Sequence, residues 1–372
     1  MLHLFSGSIR YDNARVLAAQ HDRRRFTPAF ASVTPAGRLQ EDAAADGCEA
    51  FALDAESRRA MPGAVTRLVR ELRRRRVHIL QTHLFEATLV GALAGRLARV
   101  PLVIATAHHS RELQVLERRL PLLADTAASG VLAHRVIAPT AETARELVRR
   151  ERVGEGDVAV VPHGFDLDRW RSSAEGRARG RARLGVEERE LLVGAVGRLN
   201  WIKGHAALVR AFAEVARDDA RLHLAIVGPG DAAPLRSLAA QLGVAERLVL
   251  PGLIEEVDDV YDAFDVFAST SIAESYGMAV VEAMAKERVV VATAVGVAPD
   301  VIEDGVSGFL VPPGDVPGLT AALRRAIETT AAAPDMGRAA RAAVSHLTDD
   351  AMVRAYEALY DRWWDEVVSG RA

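Results

Sequence analysis

Two doubly wound α/β domains are what this sequence predicts, and three observations carry the prediction. The chain has 372 residues, more than one ordinary core sustains, so two domains of roughly 150 to 200 residues are expected. Short apolar runs alternate with amphipathic helical stretches in two successive series, and several runs end in a glycine-bearing turn, the rhythm of repeated β-α-β units. Charge divides in the same place: residues 1–170 are net basic and the remainder net acidic, in a chain of formal net charge -3.

Composition narrows the class further. An apolar share of 49% with 26% charged residues is that of a soluble globular protein. No apolar run approaches the roughly 20 residues of a membrane span, and the N-terminus lacks a signal-peptide layout. Cys48 is the single cysteine; with no partner for a disulfide and no clustered metal ligands, a reducing cytoplasm is the expected setting. Lys203 and Lys286 are the only lysines, so each stands out against an arginine-dominated background.

The first series begins with a buried strand, Leu2 to Phe5, turning at Ser6-Gly7-Ser8 into a helix over Asn13 to His21. Strands follow at Ala29 to Val33 and Cys48 to Leu53, then an amphipathic helix, Ala64 to Arg76. Val65, Leu68, Val69 and Leu72 form its apolar stripe, while Arg67, Arg70, Arg73, Arg74, Arg75 and Arg76 crowd the other side. Those cations suit a helix C-terminus in contact with water, and anionic lipid headgroups are the alternative partner. Val77 to Gln81 and Val100 to Ala105 are strands, with His83 and His108 beyond their carboxyl ends, where ligands of such domains gather. Val136 to Pro139, a helix over Ala141 to Arg150 and a strand at Val158 to Pro162 complete the first domain, assigned to 1–168.

Residues 169–189 carry arginine, glycine and glutamate with little apolar pattern and read as a linker with a short surface helix. RNA binding by Arg177 to Arg183 is the poorer reading, because no aromatic residues interleave for base stacking. A second domain, 169–348, then runs through strands at Glu190 to Val196, Leu222 to Val227, Arg247 to Pro251 and Asp265 to Ser269. The last segment, 349–372, is a helix with Met352, Tyr356, Leu359, Tyr360, Trp363 and Val367 on one stripe. Trp364 falls off that stripe, at a partly buried rim.

Chemistry concentrates in the second domain. Gly197-Arg198-Leu199 ends one strand, and Lys203-Gly204 opens the next helix, a guanidinium fork and a point charge suited to a diphosphate leaving group. Downstream, Ser271-x-x-Glu274-x-Tyr276-Gly277 leads into a helix whose first N–H groups, near Gly277 and Met278, form a phosphate cradle. Glu274 precedes that cradle and Glu282 lies about a turn inside the helix. Two carboxylates flanking an anion site suit a nucleotide-sugar, whose hydroxyls lie at both ends of a pyrophosphate.

These motifs, continued by Glu282-Ala-Met-Ala285, Val301-Ile-Glu-Asp-Gly305 and Gly308 to Asp315, resemble the signature of the retaining GT-B glycosyltransferases of glycosyltransferase family 4. The likeness spans most of residues 77–325. It departs at Glu287 and Val289, where the family has Gly and Pro, at Val297 and Asp300, where it favours Gly and Glu, and at His163, where it has Asn. The resemblance implies two Rossmann-like domains of the GT-B kind with the C-terminal helix crossing back to the first. Arg198 and Lys203 would bind the donor diphosphate, Glu274 the donor sugar and Glu282 the ribose. His108 and Glu274 are the expected catalytic residues, His108 beside donor and acceptor, and Gly7 and His83 are expected on the acceptor side.

The expected activity is transfer of a sugar, with retention, from a nucleotide-diphosphate sugar to an acceptor hydroxyl in cell-envelope polysaccharide, glycolipid or natural-product glycoside biosynthesis. A sugar-nucleotide epimerase or hydrolase, and a non-catalytic donor-binding scaffold, are the alternatives. No acidic pair demands a metal, so turnover without metal or other cofactor is expected. The expected partners are the donor and a sugar, lipid-linked sugar or small-molecule acceptor, with peripheral membrane contact through Arg67 to Arg76 and no nucleic acid. The expected location is the cytoplasm, including the inner face of the plasma membrane.

Overall fold

The computed structural model describes residues 1–9, 11–107, 128–151, 153–332 and 335–368. They form two compact units, Met1–Phe165 with Leu347–Ala372, and Asp166–His346. Each is built on one parallel sheet, whose inner strands are buried on both faces and therefore read as near-continuous apolar runs, while the edge strands Glu49–Ala52 and Val158–Val160 are partly exposed.

In the first unit, β1 (Leu2–Phe5), β2 (Ala29–Ser32), β3 (Glu49–Ala52), β4 (Ile79–His83), β5 (Leu102–Thr106), β6 (Arg135–Ala138) and β7 (Val158–Val160) take the order β3-β2-β1-β4-β5-β6-β7. Strand order reverses between β1 and β4, the switch point of a doubly wound sheet. One face is covered by the helices Met61–Arg74 and Phe85–Ala98, through Leu68, Leu72, Val90 and Ala94. The opposite face is covered by the helices Asp12–Gln20 and Asp349–Val367.

That last helix brings the chain end back onto the first unit. Trp363 and Tyr360 are fully buried, and the Tyr360 hydroxyl donates to Gln81 Oε1, whose amide donates to Thr106 Oγ1 at 2.9 Å. Glu357 accepts from His21 Nδ1 at 3.0 Å and from the Asp22 N–H at 2.8 Å. The helix starts where the Thr348 hydroxyl accepts from the Ala351 N–H at 3.1 Å, an N-cap that satisfies one orphan donor. Trp364 is half-buried, its ring edge-on to His78 at 5.9 Å.

The second unit contains β8 (Leu191–Val196), β9 (Leu222–Val227), β10 (Leu248–Gly252), β11 (Val266–Ser269), β12 (Val289–Thr293) and β13 (Phe309–Val311), in the order β10-β9-β8-β11-β12-β13. Its switch point lies between β8 and β11.

Residues 169–189 hold the short helix expected of them, but it is packed into the second unit rather than carried on a linker's surface. Ala174–Leu184 is a packed helix of 11 residues, capped by the Ser173 hydroxyl and lying against the helix Asp258–Ala263. The packing side is made of Gly176, Gly180, Arg181 and Leu184 rather than of an apolar stripe. A Cβ on Gly180 would stand 1.9 Å from the Asp259 carbonyl oxygen, so only glycine permits that approach. The arginines here are engaged within the unit: Arg177 with Glu188 and Asp265, Arg179 with Asp259, and Arg181 with Asp265 and the Ala263 carbonyl. Lys286, the second lysine, is likewise internal, its ammonium 2.8 Å from Asp262 Oδ2 with both side chains almost completely buried.

Candidate functional site

At the second unit's switch point the carboxyl ends of β8 and β11 open into a cavity of about 300 Å³. That is the low end of ligand-site volumes, in the crevice where open α/β sheets bind ligands. Gly197 and Arg198 line it from the end of β8, Lys203 and His205 from the turn and helix that follow. Ser271 and Glu274 come from the loop after β11, and Gly277, Met278 and Ala279 from the start of the helix Met278–Ala285. Five residues expected to hold a donor (Arg198, Lys203, Glu274, Gly277 and Met278) thus share one wall system.

Local geometry sets each group. The Asn200 carboxamide oxygen accepts from the Lys203 N–H at 3.1 Å, closing the turn Trp201–Lys203. Gly204, with φ of 67°, ends that turn; a Cβ there would lie 2.0 Å from the Thr270 carbonyl oxygen. The two strand-end loops can therefore pack directly together, and the Ile272 N–H donates to the Ile202 carbonyl at 2.7 Å across the same seam. Gly277 takes φ of 95° and turns the chain into its helix, leaving the N–H groups of Met278 and Ala279 toward the cavity. With the helix dipole they supply partial positive charge opposite Arg198 and Lys203.

Glu274 is 8% exposed, and one oxygen, Oε1, accepts from Lys203 Nζ at 2.5 Å and from Ser271 Oγ at 2.7 Å. Arg198 is exposed and pairs with no carboxylate among the described residues. His205 is 5% exposed, and Nε2 lies 3.2 Å from the Arg198 carbonyl oxygen, so that nitrogen carries the proton and steadies the backbone beside the Arg198 side chain. Burial lowers the His205 pKa to about 4, which keeps the ring neutral near pH 7.

Glu282 does not line this cavity; it is half-buried, and Oε2 accepts from the Tyr261 hydroxyl at 2.5 Å. In the first unit His83 ends β4 beside Phe5, ring on ring at 4.3 Å, with Nε2 3.2 Å from His3 Nδ1. It is 3% exposed, and burial lowers its pKa to about 3. Gly7 follows β1 at the same end of the sheet, next to the Tyr11 hydroxyl. His163 Nδ1 lies 2.9 Å from the Asn13 amide nitrogen. His108 lies outside the described residues, so the expected neighbour of donor and acceptor has no position here.

Sequence reasoning missed Ser271 as a partner of Glu274, although it quoted the residue within the motif, and it missed His205 and His3 altogether. A buried histidine directly after Lys203-Gly204, and a histidine alternating with leucine and phenylalanine in β1, were the available signals.

Comparison with known proteins identifies the family and the fold. The model of the family Glycosyltransferase Family 4 matches residues 11–169, and that of Glycosyl transferases group 1 matches residues 190–329. D-inositol 3-phosphate glycosyltransferase of Streptomyces avermitilis is 39% identical over 220 residues, 56% of this chain and 47% of that protein. Its counterpart in Geodermatophilus obscurus is 35% identical over 300 residues, 75% of this chain and 66% of that protein. The chain spans about half to two thirds of the length of these curated relatives. Among solved structures, Anabaena Alr3699/HepE in complex with UDP-glucose superposes with a TM-score of 0.83 at 22% identity, over 97% of this chain and 100% of that one. Two parallel doubly wound sheets, a cationic cavity at the second switch point and the two family matches lead to one assignment: the chain belongs to glycosyltransferase family 4, the group 1 glycosyl transferases, and has the GT-B fold.

Proposed function

We propose that the chain is a retaining glycosyltransferase that takes a sugar from a nucleotide-diphosphate sugar and passes it to an acceptor hydroxyl. The observation that carries this is the second unit's cavity, where Arg198, Lys203 and a helix N-terminus surround an anion-sized space edged by Glu274. Two cations and two N–H groups offset the negative charge that grows on a diphosphate as the glycosidic bond breaks. Glu274 is the only carboxylate among the lining residues, and its engagement with Lys203 makes it a poor covalent nucleophile. A front-face route, in which the leaving phosphate helps deprotonate the acceptor, therefore fits better than double displacement.

The first unit's net positive charge and the residues Gly7 and His83 at its strand ends support reading it as the acceptor side, with His108 as the sequence-based candidate beside donor and acceptor. An anionic polyol is the acceptor class to test first, since the curated relatives are named for an inositol phosphate. Peripheral contact with anionic lipid through the helix Met61–Arg74 belongs to the same proposal. Arg70, Arg73, Arg74 and Arg76 are exposed there, although Arg74 and Arg75 share Glu71 and so contribute less free charge. Because protein cations neutralise the diphosphate, turnover should survive chelation of divalent metals.

Calorimetric titration with UDP, UDP-glucose, GDP and GDP-mannose, followed by mass spectrometry with D-inositol 3-phosphate and other hydroxyl acceptors, tests the reading. A glycosylated acceptor supports it. Donor turnover that needs no acceptor would favour a hydrolase or epimerase, and binding without any turnover would favour a scaffold.

A further inference from the structure

Glu274 is held asymmetrically. Oε1 takes hydrogen bonds from Lys203 Nζ at 2.5 Å and Ser271 Oγ at 2.7 Å, while Oε2 has no hydrogen-bond partner among the described residues and is not sealed from the cavity. Ser271 is itself 2% exposed, and its single hydroxyl proton is spent on Glu274. Its carbonyl accepts from Thr293 Oγ1 at 2.7 Å, which pins this loop to the last residue of β12. Thr270 Oγ1 adds a bond to the Lys203 carbonyl at 3.1 Å, tying the same loop to the turn that carries the lysine. Thr293 thus fixes the backbone of Ser271, and the Ser271 hydroxyl and Lys203 ammonium both hold the same oxygen of Glu274.

We propose that Ser271 is a positioning residue that fixes the Glu274 carboxylate so that Oε2 alone meets a sugar hydroxyl, making the Thr293–Ser271–Glu274 arrangement the part of the cavity that distinguishes a nucleotide-sugar from a bare nucleotide. This rests on reading the cavity as a nucleotide-sugar site. A carboxylate that can rotate offers either oxygen, and ordering it at the moment of binding costs affinity; pre-ordering by Ser271 removes that cost. Lys203 alone is a flexible point charge and cannot set the carboxylate plane. The diphosphate, held by Arg198, Lys203 and the Met278 and Ala279 N–H groups, is indifferent to that plane.

The test is calorimetric titration of the wild-type chain, Ser271→Ala and Thr293→Val with UDP and with UDP-glucose, alongside melting temperatures. The expected result is wild-type binding of both, with Ser271→Ala weakening UDP-glucose by about tenfold while UDP stays within twofold, since a hydrogen bond to a charged group is lost. Thr293→Val, nearly isosteric, should shift the UDP-glucose to UDP ratio in the same direction by a smaller factor. It carries the test if Ser271→Ala does not fold. Equal weakening of both ligands, or no change in their ratio, would overturn the role given to Ser271 while leaving the donor site intact. If the wild-type chain binds neither, the same proteins are titrated with GDP and GDP-mannose, and a wild-type chain that binds none of the four would remove the donor site, and this inference with it.

Discussion

Acid should destabilise the first unit through His83, and the amount follows from its surroundings. The ring is 3% exposed, stacked on Phe5 at 4.3 Å and joined to His3, and burial lowers its pKa from 6.5 to about 3. An unfolded chain would protonate it near pH 6.5, so below that pH the unfolded state binds more protons than the folded one. Stability from this group is therefore complete above about pH 6.5 and is lost progressively as pH falls toward 3. At about 1.4 kcal/mol per pKa unit the full loss is on the order of 5 kcal/mol, of which about 2 kcal/mol has gone by pH 5. The perturbation is His83→Phe, which keeps an aromatic ring against Phe5 but cannot titrate. Urea unfolding followed at pH 7.5 and pH 5 gives the comparison. Wild type should lose about 2 kcal/mol more than the variant between the two pH values, whatever constant offset the variant carries from leaving His3 without its partner. Parallel pH dependence in the two proteins would show that His83 is not held neutral and would refute the reasoning.

Two further predictions concern the second unit. Lys286→Met strands Asp262 almost completely buried, so stability should fall by about 3–5 kcal/mol in urea unfolding, and adding Asp262→Leu should restore much of it. A double variant no better than the single would mean that the pair is solvated. Gly180→Ala puts a methyl 1.9 Å from the Asp259 carbonyl, so the helices Ala174–Leu184 and Asp258–Ala263 must separate, at a cost of about 1–3 kcal/mol by thermal melting. An unchanged melting temperature would contradict that close approach.

Much of this molecule was legible because its inner strands are buried on both faces and end in turns. Leu2–Phe5 and Leu222–Val227 coincide with the runs read from sequence, and Arg198, Lys203, Glu274, Gly277 and Met278 meet in one cavity as their strand-end positions implied. A short helix was expected near Ala174–Leu184, but its packing was not legible, because periodicity detects large apolar residues whereas this helix packs through Gly176 and Gly180 and buries Arg181 against Asp265. The contact of His83 with His3 was hidden for a different reason. It depends on β1 and β4 being neighbours, with Phe5 opposite His83, and sheet order is not written in either strand. Ser271 stood within a recognised motif, yet its bond to Glu274 needs the loop's actual path, which tertiary packing against the Lys203 turn determines. Lys286 stood out by rarity alone, a signal that does not separate a ligand-binding cation from one buried against Asp262.

The claim beneath the whole account is that Arg198 and Lys203, with the helix start at Met278, grip a diphosphate. Calorimetric titration of UDP, or of whichever nucleotide the wild-type chain binds, against an Arg198→Gln/Lys203→Met variant shown by circular dichroism to be folded tests it most directly. Loss of two charge-assisted contacts should weaken binding by at least about a hundredfold. Undiminished nucleotide affinity in that variant would contradict the account.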